Sequence, residues 1–158
     1  MTNKFNTLPY LIATWFKSGL SPKAPGTVGS LCSLPLAWGL AQFGFWGILI
    51  GSIALFLIGW WATHIVVSDK TNASDPGFVV IDETAGQVLS FIFIATLPIN
   101  VYMYVLGFAF FRFFDILKPW PVSFFDKKVH SALGVMADDI CAGLYAGVLL
   151  LVVTKFIF

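Results

Sequence analysis

Apolar runs of roughly 15–21 residues, parted by short polar connections, set the pattern of this chain, and runs of about that length are what a bilayer-spanning helix requires. They predict an all-α fold: a polytopic helical membrane protein with about four to five transmembrane helices. Residues 7–16 are too short to span and include Trp15 and Phe16, which predicts a short N-terminal interfacial or re-entrant helix. A Gly-, Pro- and Ser-rich turn over residues 18–30 then leads into a helix, with Thr27 or Ser30 as the expected cap. Five spans are expected, at 30–43, 47–67, 82–97, 101–117 and from Ile140 onward; the first is short and contains Pro35. The polar stretch 68–81 contains Pro76-Gly77 and reads as a loop, and 118–138 reads as a cationic connector. Gly47-xxx-Gly51 and Gly143-xxx-Gly147 match the small-residue pattern of close helix packing.

Composition agrees with the pattern. The chain is 58% hydrophobic and only 11% charged, with a mean hydropathy of +0.88, from which no soluble surface can be built. At 158 residues a single membrane-embedded domain over 1–158 is expected. A net charge of +1 gives no electrostatic case for nucleic acid as a partner. Cys32 and Cys141 each lie in an apolar run, which predicts buried free thiols rather than a disulfide or a metal knuckle. The N-terminal residues lack a long apolar core with a small-residue cleavage site, so no removable signal peptide is expected.

The few charges are placed unevenly. Eight of the nine basic residues fall in the N-terminal segment, the 68–82 loop or the 112–130 region, and the turns near 43–47 and 98–100 carry none. By the positive-inside rule the N-terminus is cytoplasmic and the C-terminus outside. All eight carboxylates, including Asp69, Asp75 and Asp126, lie in or beside the same cytoplasmic connections. Insertion does not require that of acidic residues.

Five of those carboxylates carry the candidate chemistry. Asp82 and Glu83 open the expected third span, Asp115 closes the fourth, and Asp138 and Asp139 open the fifth, so three helices would bring acids to one depth. An oxygen-only donor set suits Mg²⁺ or Mn²⁺, which share their coordination with substrate phosphate. His64 and His130 are too isolated for a histidine-rich zinc site. Acids at helix N-termini also complement the macrodipole, which accounts for four of the five but not for Asp115. Arg112, Asp115 and Lys118 are spaced three apart, which places them on one helix face where two cations could hold a phosphate beside an ion. Thr27 and Ser30, with the glycines around them, offer hydroxyls and free N–H groups at a helix start. An ion carrier would use the same acids but needs a polar path through the bilayer, and no acid lies near the middle of spans two to five. Neither a phosphocysteine nor an Asp-x-Asp motif is present, and two histidines with one arginine make a histidine nucleophile hard to assemble, which leaves hydrolysis by metal-activated water.

Four blocks in order carry a resemblance: Gly19-Leu20-Ser21-Pro22 with Pro25-Gly26-Thr27-x-Gly29-Ser30; Asp82-Glu83-x-x-Gly86; Phe111-Arg112-x-x-Asp115-x-x-Lys118-Pro119-Trp120-Pro121; and Asp138-Asp139-x-x-Ala142-Gly143. The chain resembles the bacterial phosphatidylglycerophosphatase A family over about residues 8–147. The resemblance implies a multi-pass enzyme of the bacterial cytoplasmic (inner) membrane, its active site facing the cytoplasm. It implies Mg²⁺-dependent removal of the terminal phosphate of phosphatidylglycerophosphate to give phosphatidylglycerol. It also implies that Asp82, Glu83, Asp115, Asp138 and Asp139 supply the acidic ligands. In the expected site, Asp82, Glu83, Asp115 and Asp139 are catalytic, with Asp139 a candidate base, and Thr27, Ser30, Arg112 and Lys118 bind substrate.

Overall fold

Helix is the only regular structure among the residues that the computed structural model describes, 4–72, 76–98, 100–124 and 131–157. A short helix α1 (Leu8–Ala13) begins the fold. It buries Tyr10 and Ala13 beside Ala62 and Val66 of the next long helix but one, so the expected interfacial segment is docked on the protein. Helix α2 (Pro25–Ala41) starts with proline in its first turn and a left-handed Ala24 at its N-cap. Residues 25–30 therefore form the first turns of the helix and not a turn ahead of it. The expected cap is corrected accordingly: the Ser30 hydroxyl donates to the Gly26 carbonyl one turn back, and no side chain caps α2.

A tight connection at Gln42 and Phe43 reverses the chain into α3 (Gly44–Ser68). Gly47 makes that reversal possible, because a Cβ there would collide with the Leu40 carbonyl. After the 68–81 loop come α4 (Ile81–Leu89), a 3-10 turn at Ile92–Ile94, α5 (Val101–Leu117) and α6 (Ala132–Ile157). Helix α4 sits at the centre, packed by α2, α3 and α6, and α5 lies along α6.

The expected third span is corrected. Helix α4 has nine residues, about 13 Å of rise, and every one of them except Glu83 is buried. Enclosed by protein, it does not have to match the thickness of a bilayer. The fifth expected span begins early, at Ala132 instead of Ile140. Among the described residues, α3 and α6 are long and apolar enough to cross a membrane; α2 and α5, at 17 residues each, rise about 25 Å. A count of four to five full spans is therefore not carried by these helices. The outward faces are apolar, with Ile53, Leu57 and Trp61 exposed on α3 and Val148 and Val152 on α6. The two thiols are free as expected, but Cys32 is exposed and Cys141 only half-buried.

Candidate active site

The starts of α2, α4 and α6 and the end of α5 converge at one end of the bundle. What brings them together is the absence of side chains at particular positions. Gly86 of α4 and Gly143 of α6 meet backbone to backbone: a Cβ on Gly143 would strike the Gly86 carbonyl oxygen, and one on Gly86 would strike the Asp139 carbonyl oxygen. That crossing lays the first turn of α4, with Asp82 and Glu83, against the second turn of α6, with Asp138 and Asp139. Gly26, in the first turn of α2, plays the same part on the other side, where a Cβ would collide with Glu83 Oε1 and come within 3.2 Å of Arg112 Nη1.

Carboxylate oxygens of Asp82, Glu83 and Asp139 lie within 4.8 Å of one another. Asp82 and Asp139 are 8% and 3% exposed, so three like charges share a site from which water is largely excluded. Two of their oxygens, Asp82 Oδ1 and Glu83 Oε2, are buried with no hydrogen-bond partner among the described residues. Buried carboxylate oxygens without partners are costly, and an oxygen-coordinated divalent cation satisfies both the lone pairs and the charge. The donor set fits such an ion.

Arg112 ties this trio to its neighbours. Its Nη1 pairs with Asp115 one turn on, lies 3.8 Å from Glu83 Oε1, and donates to Ser30 Oγ at 3.4 Å. Asp115, near the C-terminus of α5 where the dipole disfavours an acid, is held by this cation. Lys118 departs from the expected face. It is the left-handed C-cap of α5, which turns it away from the Arg112 stripe; its Nζ donates to Asp138 Oδ2 at 3.2 Å. Asp138 Oδ1 also accepts from the Asp139 N–H. Asp138 is thus braced by Lys118 and stands outside the trio of closest oxygens. Thr27 is half-buried in the first turns of α2, between Gly26 and Ser30.

Of the other acids, Asp75 and Asp126 lie outside the described residues, as does His130. Asp69 belongs to a different assembly. Its carboxylate accepts from the Tyr10 hydroxyl at 2.6 Å and from the backbone and hydroxyl of Thr71, and these bonds hold its pKa down at about 2. In the sequence Gly143 stands out only as a packing residue and Gly86 only as a member of the Asp82-Glu83-x-x-Gly86 block. Their signal was present as spacing, four residues after Asp82 and Asp139 alike.

Comparison with known proteins adds a separate line. The chain is 40% identical over 143 residues to a phosphatidylglycerophosphatase A of Escherichia coli (strain K12), covering 89% of this chain and 80% of that one. It is 39% identical over 141 residues to a phosphatidylglycerophosphatase A of Haemophilus influenzae, covering 87% and 83%. It is also 38% identical over 154 residues to a Bacteroides thetaiotaomicron protein named as a candidate phosphatidylinositol-3-phosphatase, covering 92% of each. No solved structure matches. The family model described as phosphatidylglycerophosphatase A matches residues 11–154, a stretch that includes every residue of the acidic site, and the chain therefore belongs to the phosphatidylglycerophosphatase A family.

Proposed function

We propose that this protein hydrolyses the terminal phosphate monoester of phosphatidylglycerophosphate, giving phosphatidylglycerol and inorganic phosphate in phospholipid synthesis, and that it requires Mg²⁺. The observation that carries the proposal is the joint placement of three clustered carboxylates and Arg112 at one helix end. Acids alone suit an ion; acids sharing a bridging guanidinium suit an ion together with a phosphate. When bound, the cation would neutralise phosphate charge and acidify the attacking water. Asp82, Glu83 and Asp139 would hold it. Arg112, positioned in part by its bond to the Ser30 hydroxyl oxygen, and the free N–H groups at the start of α2 orient the phosphate for in-line attack. The water oxygen forms its bond to phosphorus as the ester bond to glycerol breaks. An Asp139 oxygen not engaged with the cation would take one proton from the attacking water and release it to solvent, and the departing glycerol oxygen takes a proton from solvent water to leave as a hydroxyl. Asp138 and Lys118 brace the second turn of α6 and the end of α5.

On this reading the protein is a multi-pass bundle of the bacterial cytoplasmic membrane, with α3 and α6 crossing fully, α2 and α5 crossing in a thinner region, and α4 enclosed among them. Lys4, Lys23, Lys70 and Lys118 flank the helix ends nearest the acids, whereas Lys155 lies in the last turn of α6 at the opposite end. The positive-inside rule then turns the site toward the cytoplasm. The lipid tails stay in the bilayer, and only the headgroup moves. The test is phosphate release from phosphatidylglycerophosphate by purified protein. Asp115→Asn, which removes the carboxylate paired with Arg112, should lower kcat by orders of magnitude while the protein still folds. Activity retained in that variant, or no phosphate released by the wild type with Mg²⁺ present, would sink the reading.

A further inference from the structure

Helices α2 and α5 meet at the site, where Arg112 Nη1 donates to Ser30 Oγ at 3.4 Å. Farther into the bundle a cleft of about 380 Å³ opens between the same two helices, lined by Leu34, Pro35, Trp38, Val101 and Tyr104. The helices are antiparallel along it, so following α2 forward from Ser30 and α5 backward from Arg112 leads into the cleft from both sides. Leu34 lies one turn beyond Ser30, and Trp38 and Tyr104 each lie two turns, about 12 Å, from the Ser30–Arg112 contact. Steps of four residues advance only about 40° around a helix, which keeps Leu34, Trp38 and Tyr104 on the flanks next to Ser30 and Arg112. The same drift carries the α2 row outward: Ser30 is fully buried, Leu34 half-buried and Trp38 59% exposed. The cleft therefore leads from the phosphate end of the buried site to the apolar surroundings of the bundle.

One polar group in the wall is unmatched. The Tyr104 ring packs against Phe91, centroids 4.9 Å apart, and its hydroxyl is buried with no hydrogen-bond partner among the described residues. A buried tyrosine hydroxyl ordinarily has one. The side chains of Leu34, Pro35, Trp38 and Val101 carry no acceptor, so in the cleft an acceptor has to arrive with a ligand. In phosphatidylglycerophosphate the terminal phosphorus and the nearer acyl ester carbonyl are about eleven bonds apart, or about 13 Å when extended at about 1.2 Å per bond. The levels of Arg112 and Tyr104 differ by about 12 Å. The order also suits a lipid of the cytoplasmic leaflet, with phosphate at the helix ends and chains toward the middle of the bundle. We infer that the α2–α5 cleft receives one acyl chain of the lipid substrate, and that a small swing of the Tyr104 ring lets its hydroxyl donate to the ester carbonyl of that chain. The inference rests on the lipid-phosphatase reading and deepens it: the site recognises an acyl ester held at a fixed distance from the terminal phosphate.

The test compares ester-linked dioleoyl phosphatidylglycerophosphate with its ether-linked analogue, which lacks the carbonyls, in the full-length wild type and in Tyr104→Phe. In the wild type KM should be about fivefold lower for the ester lipid, as one neutral hydrogen bond allows. In Tyr104→Phe the two KM values should agree within about twofold. A tyrosine that only supports packing would leave the ester-to-ether ratio as in the wild type; that result, or no preference in the wild type, overturns the ester assignment. The chain is followed by photocrosslinking on ice, with Mg²⁺ present, to a phosphatidylglycerophosphate that carries a diazirine near the carboxyl end of one chain. Adducts on Leu34, Trp38 or Val101 that unlabelled substrate displaces are expected. Adducts spread over outward residues of α3 such as Ile53 and Leu57, and not displaced, show surrounding lipid only and overturn the cleft. Should the wild type release phosphate from neither lipid, the phosphatase reading fails on its own, and the displaceable crosslink still decides the cleft.

Discussion

Replacing Gly143 with alanine tests whether the contact of α4 with α6 is what assembles the acids. A Cβ at that position meets the Gly86 carbonyl oxygen, with the carbonyl carbon at 3.0 Å and the Gly86 Cα at 3.1 Å. All three are backbone atoms, so no side chain can rotate away, and in a close-packed interior the helices must part by roughly 1 Å. Overpacking of this kind costs about 1–3 kcal/mol, which for a chain of this size lowers Tm by roughly 2–12 °C. The same displacement carries Asp82 and Glu83 away from Asp139, and a misplacement of about 1 Å in a reacting constellation costs on the order of 10²-fold in rate. Phosphate release and thermal melting in one detergent measure both effects. Gly39→Ala is the control, since nothing lies within 4 Å of a Cβ there; alanine in that helical position should keep full activity and gain up to about 1 kcal/mol. Wild-type kcat and Tm in Gly143→Ala, or an equal loss in Gly39→Ala, would refute the argument.

Arg112→Lys replaces a planar fork with a point charge that cannot face Glu83, Asp115 and Ser30 together; kcat should fall on the order of 10²-fold, and a loss under about threefold would remove Arg112 from the phosphate site. Lys118→Met takes a counter-charge from Asp138, whose side chain is 9% exposed. Denaturation should show a loss of about 2 kcal/mol, below the full cost of breaking a buried pair because Lys118 is partly solvated, and adding Asp138→Asn should recover part of it. Chelation with EDTA should abolish phosphate release, and Mg²⁺ or Mn²⁺ should restore it; full activity after exhaustive chelation would contradict the donor-set argument. Tyr10→Phe removes a bond that depresses the Asp69 pKa to about 2. A carboxyl whose folded pKa is depressed contributes above its unfolded value and loses that contribution as pH falls through the folded one. The Tm deficit of Tyr10→Phe should therefore be full at pH 6 and shrink between about pH 4 and 2, and a pH-independent deficit would show that the bond does not act through the ionised carboxylate.

The acids of the site were legible because they are chemically loud in an apolar chain: Asp82, Glu83, Asp115 and Asp139 stand out against their surroundings, and the structure brings them to one end. Arg112 beside Asp115 followed from helical spacing, and the pair forms. Lys118 did not follow, because spacing assumes that the helix continues, whereas a left-handed residue at the C-cap redirects the side chain. The length of α4 was hidden for a related reason. Hydropathy reports that a segment is shielded from water without distinguishing lipid from protein, and residues 82–97 are shielded mostly by neighbouring helices. Thr27 and Ser30 were expected to cap a helix that in fact begins earlier, at Pro25, because proline at a first turn and a left-handed N-cap leave little trace in polarity. The link from Tyr10 to Asp69 joins residues far apart in sequence and could be seen only in three dimensions.

Crystals of the protein soaked in Mn²⁺ would test the central claim most directly, since anomalous scattering locates the ion without reference to any assumed mechanism. The account predicts a peak within about 2.0–2.6 Å of carboxylate oxygens from Asp82, Glu83 and Asp139, lost in Asp139→Asn. A peak elsewhere, or none at this cluster under conditions that support phosphate release, would contradict it.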